Sequence, residues 1–249
     1  MRRVGTASEL AALIRDRGPA VVLTGAGMST ESGIPDFRSA SGLWAEVDPF
    51  EVASIDAFRR DPLRVWSWYG PRIRGLLAAE PNDGHRALVE LERAGHVTAV
   101  VTQNIDTLHT RAGSRDVVEV HGSVSSSVCL ACGAVEGVDA VLEQLDSEDA
   151  PLCPACGEIL KPGVVMFGEL LPVDAITRAE ALVRGTGLLL VVGSSLEVWP
   201  VAGLPEQTVA TGGALAIVNR DPTPFDDLAA LVVREPAAVT LAAVAEELT

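Results

Sequence analysis

The chain has 249 residues, 48% of them hydrophobic, and a formal net charge of −15. That length allows one large domain, or one large domain with a small appendage. The charge disfavours nucleic acid as a principal partner, because phosphate neutralisation needs clustered cations. The longest apolar runs, such as Leu188–Val192, fall far short of the roughly 18 residues of a membrane span.

Behind Arg2 and Arg3, the charges of Glu9, Arg15, Asp16 and Arg17 interrupt any signal-peptide core, so a cytoplasmic protein is expected. The basic residues are almost all arginine, with Lys161 the only lysine.

In chain order, Leu10, Leu13 and Ile14 give Ser8 to Arg17 a helical spacing that Gly18 and Pro19 close. A buried strand follows at Ala20–Thr24 and breaks at Gly25 and Gly27. Glycines there let backbone approach a ligand, so the loop from Leu23 to Arg38 fits a phosphate cradle, or else an ordinary strand-to-helix turn. Beyond it, Phe37, Trp44, Phe50 and Phe58 sit in a stretch that fits no simple period, which reads as a long binding loop.

Asp61-Pro62 begins a helix through Trp66, Tyr69 and Ile73 to about Ala79, with Pro71 expected to kink or interrupt it. A second helix fits Gly84–Ala94 and a strand Val97–Thr102, followed at once by Gln103-Asn104-Ile105-Asp106. Polar side chains at a strand's C-terminal end are where open α/β sheets bind ligands. Val117–Val120 leads into His121-Gly122, and further strands fit Val164–Phe167, Leu188–Val192, Ala214–Val218 and Leu231–Val233. Helices are expected at Val173–Arg184 and from Ala237 to Leu248. This alternation implies an α/β fold, a doubly wound parallel sheet.

Segment 123–163 differs in character and holds all four cysteines. Cys129-x-x-Cys132 and Cys153-x-x-Cys156, each followed by glycine, have the spacing of two knuckles sharing one tetrahedral zinc. Two disulfides, or buried thiols, are the competing readings, the disulfides disfavoured without a secretory signal. Four thiolates leave no open coordination position, so such a zinc is structural.

His121 sits at the same sheet edge as the glycine loop and Gln103–Asp106, where a neutral imidazole could serve as a general base or simply hold a structural hydrogen bond. The third position of a dinucleotide fingerprint counted from Gly25 and Gly27 is Thr30 rather than glycine, which argues against hydride transfer.

Taken together, G-A-G-M-S-T-E-S-G-I-P-D-F-R at 25–38, G-L-W at 42–44, T-Q-N-I-D at 102–106, H-G at 121–122, the two C-x-x-C pairs, V-V-M-F-G-E at 164–169, G-S-S at 193–195 and I-V-N at 217–219 resemble the sirtuin family of NAD-dependent protein deacylases. The resemblance implies a Rossmann-like NAD-binding domain of residues 1–122 and 164–249. It also implies an inserted zinc-ribbon domain of residues 123–163, with the 42–80 segment packed beside it over a cleft.

By position the resemblance assigns the cofactor to Gly25, Ala26, Gly27, Asp36, Phe37, Arg38, Gln103, Asn104, Ile105, Asp106, Gly193, Ser194, Ser195, Asn219, Arg220 and Ala237. It assigns the acylated peptide to Val165, Phe167, Gly168, Glu169 and Trp199, the peptide pairing as an added strand. In the implied reaction, the acyl amide oxygen attacks C1′ of the nicotinamide ribose and nicotinamide leaves. His121 deprotonates a ribose hydroxyl, which attacks the alkylamidate, and water completes transfer to free lysine and O-acyl-ADP-ribose.

Tyr69 and Arg72 resemble the Y-x-x-R of class III sirtuins, the mitochondrial-type desuccinylases and their bacterial relatives, with Ala57 small where a wider acyl pocket needs room. The expected cofactors are NAD and one structural zinc. The expected partners are acylated lysine-bearing proteins, with no nucleic acid, no membrane and a monomeric state. An NAD- or ADP-ribose-binding module and a protein ADP-ribosyltransferase are the competing functions.

Overall fold

The computed structural model describes residues 4–36, 42 and 47–249. Its large sheet has six parallel strands: β1 (Ala20–Thr24), β2 (Val97–Thr102), β3 (Val117–Glu119), β7 (Leu188–Val192), β8 (Ala214–Val218) and β9 (Leu231–Val233). A smaller antiparallel sheet holds β4 (Gly122–Val128), β5 (Val135–Gly137) and β6 (Lys161–Val164). The helices are α1 (Ala7–Arg17), α2 (Pro49–Val52), α3 (Ile55–Arg60), α4 (Pro62–Ala78), α5 (Asp83–Arg93), α6 (Leu108–Ala112), α7 (Val138–Gln144), α8 (Val173–Gly185), α9 (Leu204–Ala210) and α10 (Ala237–Leu248).

The large sheet runs β3-β2-β1-β7-β8-β9. The chain therefore winds outward from β1 to one edge, crosses back to β7 and winds to the other edge, the doubly wound order of a Rossmann-like sheet. The central strands are mostly apolar because both faces are covered. Val22, Val100 and Leu190 pack with Leu10, Ile14, Leu88, Leu91 and Leu241 from α1, α5 and α10. The alternate residues Val21, Leu23, Val101, Leu189 and Ile217 pack with Ala179, Val183 and Leu204 from α8 and α9. At 25 cal/mol per Å² or so, this two-sided burial is the main stabilising term of the large sheet.

A third cluster joins α2, α3 and α4 to the small sheet, through Val52, Phe58, Val65, Trp66, Tyr69 and Ile73 on one side and Val124, Val141, Leu160, Val164 and Met166 on the other. Trp66, 1% exposed, donates from Nε1 to Leu160 O at 2.7 Å and so pins α4 to the approach to β6.

Three sequence expectations are corrected and one short helix, α6, is new. The stretch after the glycine loop is not wholly irregular, since Asp48 and Ser54 cap α2 and α3, accepting from Phe50 N and Ala57 N. Helices this short carry too little periodicity to be seen against their neighbours. Pro71 does not interrupt α4; the Arg72 guanidinium donates to Trp68 O at 2.8 Å and satisfies a carbonyl beside the proline. Strand Val164–Phe167 is not a strand of the large sheet: Lys161–Val164 pairs with β4, and Phe167 makes a single bridge to Ser54. Finally, α6 follows directly on Asp106, whose Oδ1 accepts from Leu108 N at 2.9 Å.

Among the described residues no helix is long and apolar enough to cross a membrane. Trp66→Phe keeps the ring but leaves the buried Leu160 carbonyl unsatisfied. It should cost about 1–3 kcal/mol, read as a lower urea midpoint with unchanged m-value.

Candidate functional site

The crevice lies where the strand order reverses, outside the C-terminal ends of β1 and β7. The glycine loop leaves β1 and folds onto the loop leaving β7: Gly25 N–H donates to Val192 O at 3.1 Å and Gly27 N–H to Gly193 O at 2.9 Å. A Cβ on Gly27 would stand 2.8 Å from Gly193 Cα, and one on Gly193, whose φ is +62°, would stand 2.4 Å from Met28 N. The glycines are therefore demanded first by backbone-on-backbone contact, and their amides are spent on it. The neighbouring Ala26, first residue of a short 3-10 turn over Ala26–Met28, has an N–H with no acceptor among the described residues. That leaves it available to an anion.

Beneath the loop is a buried polar network. Ser29 Oγ donates to Asp106 Oδ2 at 2.6 Å, and Asn104 Nδ2 lies 3.1 Å from both Gly25 O and Ser29 Oγ. Burial raises the Asp106 carboxyl's pKa, and the Ser29 hydrogen bond opposes the rise. Gln103 Nε2 donates to Ser194 Oγ at 2.8 Å, tying the polar end of β2 to the β7 loop. Ile105 contributes backbone, accepting from Val124 N at 3.0 Å.

His121 stands between β3 and β4, where the large sheet hands over to the small one. Its Nδ1 lies 3.0 Å from Gln103 O. A carbonyl only accepts, so Nδ1 carries the proton and Nε2 keeps a lone pair, with no partner among the described residues. Burial lowers the imidazole's pKa, so the ring is neutral at pH 7.

The peptide-side residues divide. Val165 N–H donates to His121 O at 2.7 Å, and Phe167 pairs through its own N–H and C=O with Ala53 and Ile55. Val165 C=O and both polar groups of Gly168 hold no hydrogen bond among the described residues, an edge on which an extended peptide could pair. Glu169 Oε2 accepts from Met166 N at 2.8 Å and faces Lys161 Nζ at 3.0 Å. Trp199 is two-thirds exposed, its ring over Gly203.

Tyr69, 6% exposed, lies in the third cluster with Ala57. Burial and the Glu169 charge hold its phenol well above the usual range, with Arg72 opposing, so it remains a donor. The Arg72 Cζ lies 4.1 Å from the Trp68 ring centroid, and Trp68 meets Tyr69 edge-on at 4.7 Å.

At the far end, Asn219 Nδ2 donates to Asp221 O at 2.9 Å, Arg234 Nη1 clasps Asn219 O at 2.9 Å, and Arg220 is exposed. Ala237 opens α10 and is buried, Ser195 is half-buried beside Ser194, and Asp36 is half-buried. Phe37, Arg38 and Trp44 lie outside the described residues.

One contributor escaped the sequence reading. Asn82, the N-cap of α5, donates from Nδ2 to Met28 O at 2.9 Å and Ser32 Oγ at 3.1 Å, holding the loop from behind. Its only sequence signal is the Pro-Asn-Asp helix start. Buried His109 lies behind β1, with Nε2 2.9 Å from Thr24 Oγ1 and its ring 4.8 Å from that of His85. Burial holds both imidazoles neutral.

The four cysteine thiols lie within 4.8 Å of one another and form no disulfide, with Cys129–Cys156 at 3.5 Å and Cys132–Cys153 at 3.6 Å. A tetrahedron with Zn–S of about 2.3 Å has S···S edges of about 3.8 Å, so the set fits one zinc. The two knuckles are built alike, Gly133 N–H turning back to Cys129 O at 2.9 Å and Gly157 N–H to Cys153 O at 2.8 Å. Chelation at pH 7 should melt the small sheet, read as lost far-UV strand signal that added zinc restores.

The sequence profile of the Sir2 family matches residues 25–200. An NAD-dependent protein deacetylase of Sulfurisphaera tokodaii is 46% identical over 216 residues, covering 87% of this chain and 85% of the relative. An NAD-dependent protein deacylase of Thermus thermophilus is 46% identical over 217 residues, covering 86% and 84%. Among solved structures, a Sir2 with a deacetylated peptide and 3′-O-acetyl ADP-ribose superposes with a TM-score of 0.93 at 42% identity, covering 98% of both chains. A Sir2 bound to a propionylated peptide superposes with a TM-score of 0.89 at 41% identity and the same coverage.

Proposed function

This chain belongs to the Sir2 family, and from that premise we propose that it removes acyl groups from protein lysines in an NAD-dependent reaction, with His121 as general base. The observation that carries the assignment is the tautomer: the Nδ1–H donated to Gln103 O leaves the Nε2 lone pair as the imidazole's basic site. The lowered pKa keeps that site unprotonated at neutral pH.

When bound, NAD supplies the electrophilic ribose carbon and the departing nicotinamide. Gln103, Asn104, Asp106 and the glycine loop hold the ribose and nicotinamide side. Ser194, Asn219, Arg220 and Ala237 line the adenosine side. The free amide of Ala26 is a donor toward a phosphate oxygen. Val165 and Gly168 pair with the peptide backbone, so peptide sequence is read only loosely. The zinc knuckles, with the rest of residues 123–163, form a small structural domain packed against α2–α4 over the cleft.

Incubation with NAD and acetyl- or succinyl-lysine peptides, read by mass spectrometry, tests the reading. O-acyl-ADP-ribose and free lysine are the expected products; ADP-ribosylated protein or unconsumed NAD would overturn it. His121→Ala should lower kcat by at least the 10²–10⁴-fold typical of a lost general base while NAD still binds, measured by calorimetry.

The acyl pocket favours an anionic acyl group, succinyl or malonyl, and also accepts acetyl. The support is a protonated Tyr69 phenol with the Arg72 guanidinium close enough to act on it electrostatically. Arg72→Met should lose roughly ten- to a hundredfold in desuccinylation, the 1.5–3 kcal/mol of a charge-assisted contact, and keep most deacetylation. Equal losses on both peptides would remove Arg72 from acyl recognition.

A further inference from the structure

The chain's only lysine is buried, and it is spent entirely inside the protein. Lys161, 4% exposed, directs Nζ to Pro162 O at 2.9 Å, Val164 O at 2.7 Å and Glu169 Oε2 at 3.0 Å. These three acceptors match the three N–H bonds of an ammonium. The same Glu169 Oε2 accepts from Met166 N at 2.8 Å. One cation thus closes residues 161–169 into a loop whose middle carries the Val165 carbonyl and the Gly168 backbone groups that hold no hydrogen bond among the described residues.

Glu169 also looks the other way. Tyr69 packs in one apolar cluster with Val164 and Met166 of this loop, and Glu169, whose carboxylate accepts from Met166 N, acts on the phenol in the sense opposite to Arg72. An uncompensated carboxylate at that place would offset the Arg72 charge and repel an acyl carboxylate. With Lys161 paired to it, the set Lys161, Glu169 and Arg72 keeps one net positive charge beside Tyr69.

We propose that Lys161 is a positioning and specificity residue that neutralises Glu169, so that the acyl pocket presents net positive charge to succinyl- or malonyl-lysine. This rests on the anionic-acyl reading of Tyr69 and Arg72. Lys161 touches no substrate in this scheme and acts through Glu169.

The test is steady-state kinetics on acetyl- and succinyl-lysine peptides of one sequence. Lys161→Met should lower the succinyl-to-acetyl ratio of kcat/KM about tenfold, through a raised KM for the succinyl peptide. Lys161→Arg should keep the wild-type ratio. The double change Lys161→Met with Glu169→Gln should recover the ratio, because the charge to be neutralised is gone, and it serves if the single variant folds poorly.

Equal losses on both peptides, or no recovery in the double variant, would overturn the role of Lys161 while leaving the pocket reading intact. A wild-type enzyme inactive on succinyl-lysine would overturn the pocket reading, and this one with it. Amine acylation of the folded protein, read by intact mass, checks the ion pair directly. Lys161 should resist modification until the protein is denatured, and labelling at the rate of a free amine would refute its burial.

Discussion

The approach of two loops at the centre of the large sheet is the constraint on which the site depends. Gly27 and Gly193 lie against one another with no room for a Cβ on either, and Gly25 and Gly27 donate to the chain leaving β7. The contact closes the sheet's switch point and spends the glycine amides. What remains for a ligand is the exposed flank of the loop and the polar ends of β1, β2 and β7 brought around it. A loop of larger residues would stand off from β7, and Gln103 would lose its reach to Ser194.

Burial then sets the chemistry of the groups around that contact. Desolvation raises Asp106 and Glu119, lowers His121 and keeps the Tyr69 phenol protonated. These directions leave a neutral imidazole at His121 and a neutral donor at Tyr69. The four cysteines gather in the small module, where a closed thiolate shell around zinc would supply folding energy. The two kinds of polar cluster are therefore separate in purpose: one holds backbone in place, the other exposes single functional atoms.

The small sheet does more than house the cysteines. β4 starts on the residue after His121, and Val165 N–H returns to His121 O, so the imidazole is gripped by both sheets. The third apolar cluster extends that grip to α4 through Trp66, which brings Tyr69 and Arg72 to the same region. A movement of the small sheet relative to the large one would be felt at His121 and at the peptide edge together.

The amino-acid sequence by itself determined the local features with strong periodicity or covalent spacing. The strands Ala20–Thr24, Val97–Thr102 and Leu188–Val192, the glycine break and the paired C-x-x-C knuckles are all legible there, because burial on both faces and thiolate geometry leave direct marks on residue order. Short elements such as α2 and α3 were not legible, and Val164–Phe167 was misassigned to the large sheet. Their conformation comes from caps and from partners distant in the chain. Only the tertiary structure decided that Gly25 and Gly27 face a third glycine, that Asn82 holds the loop from behind, and that His121 carries its proton on Nδ1. It likewise turned a lone lysine from a quirk of composition into the partner of Glu169. Apart from the Lys161–Glu169 pair, which closes a single loop, these are pairings between residues distant in sequence, and all of them exist only once the chain has folded.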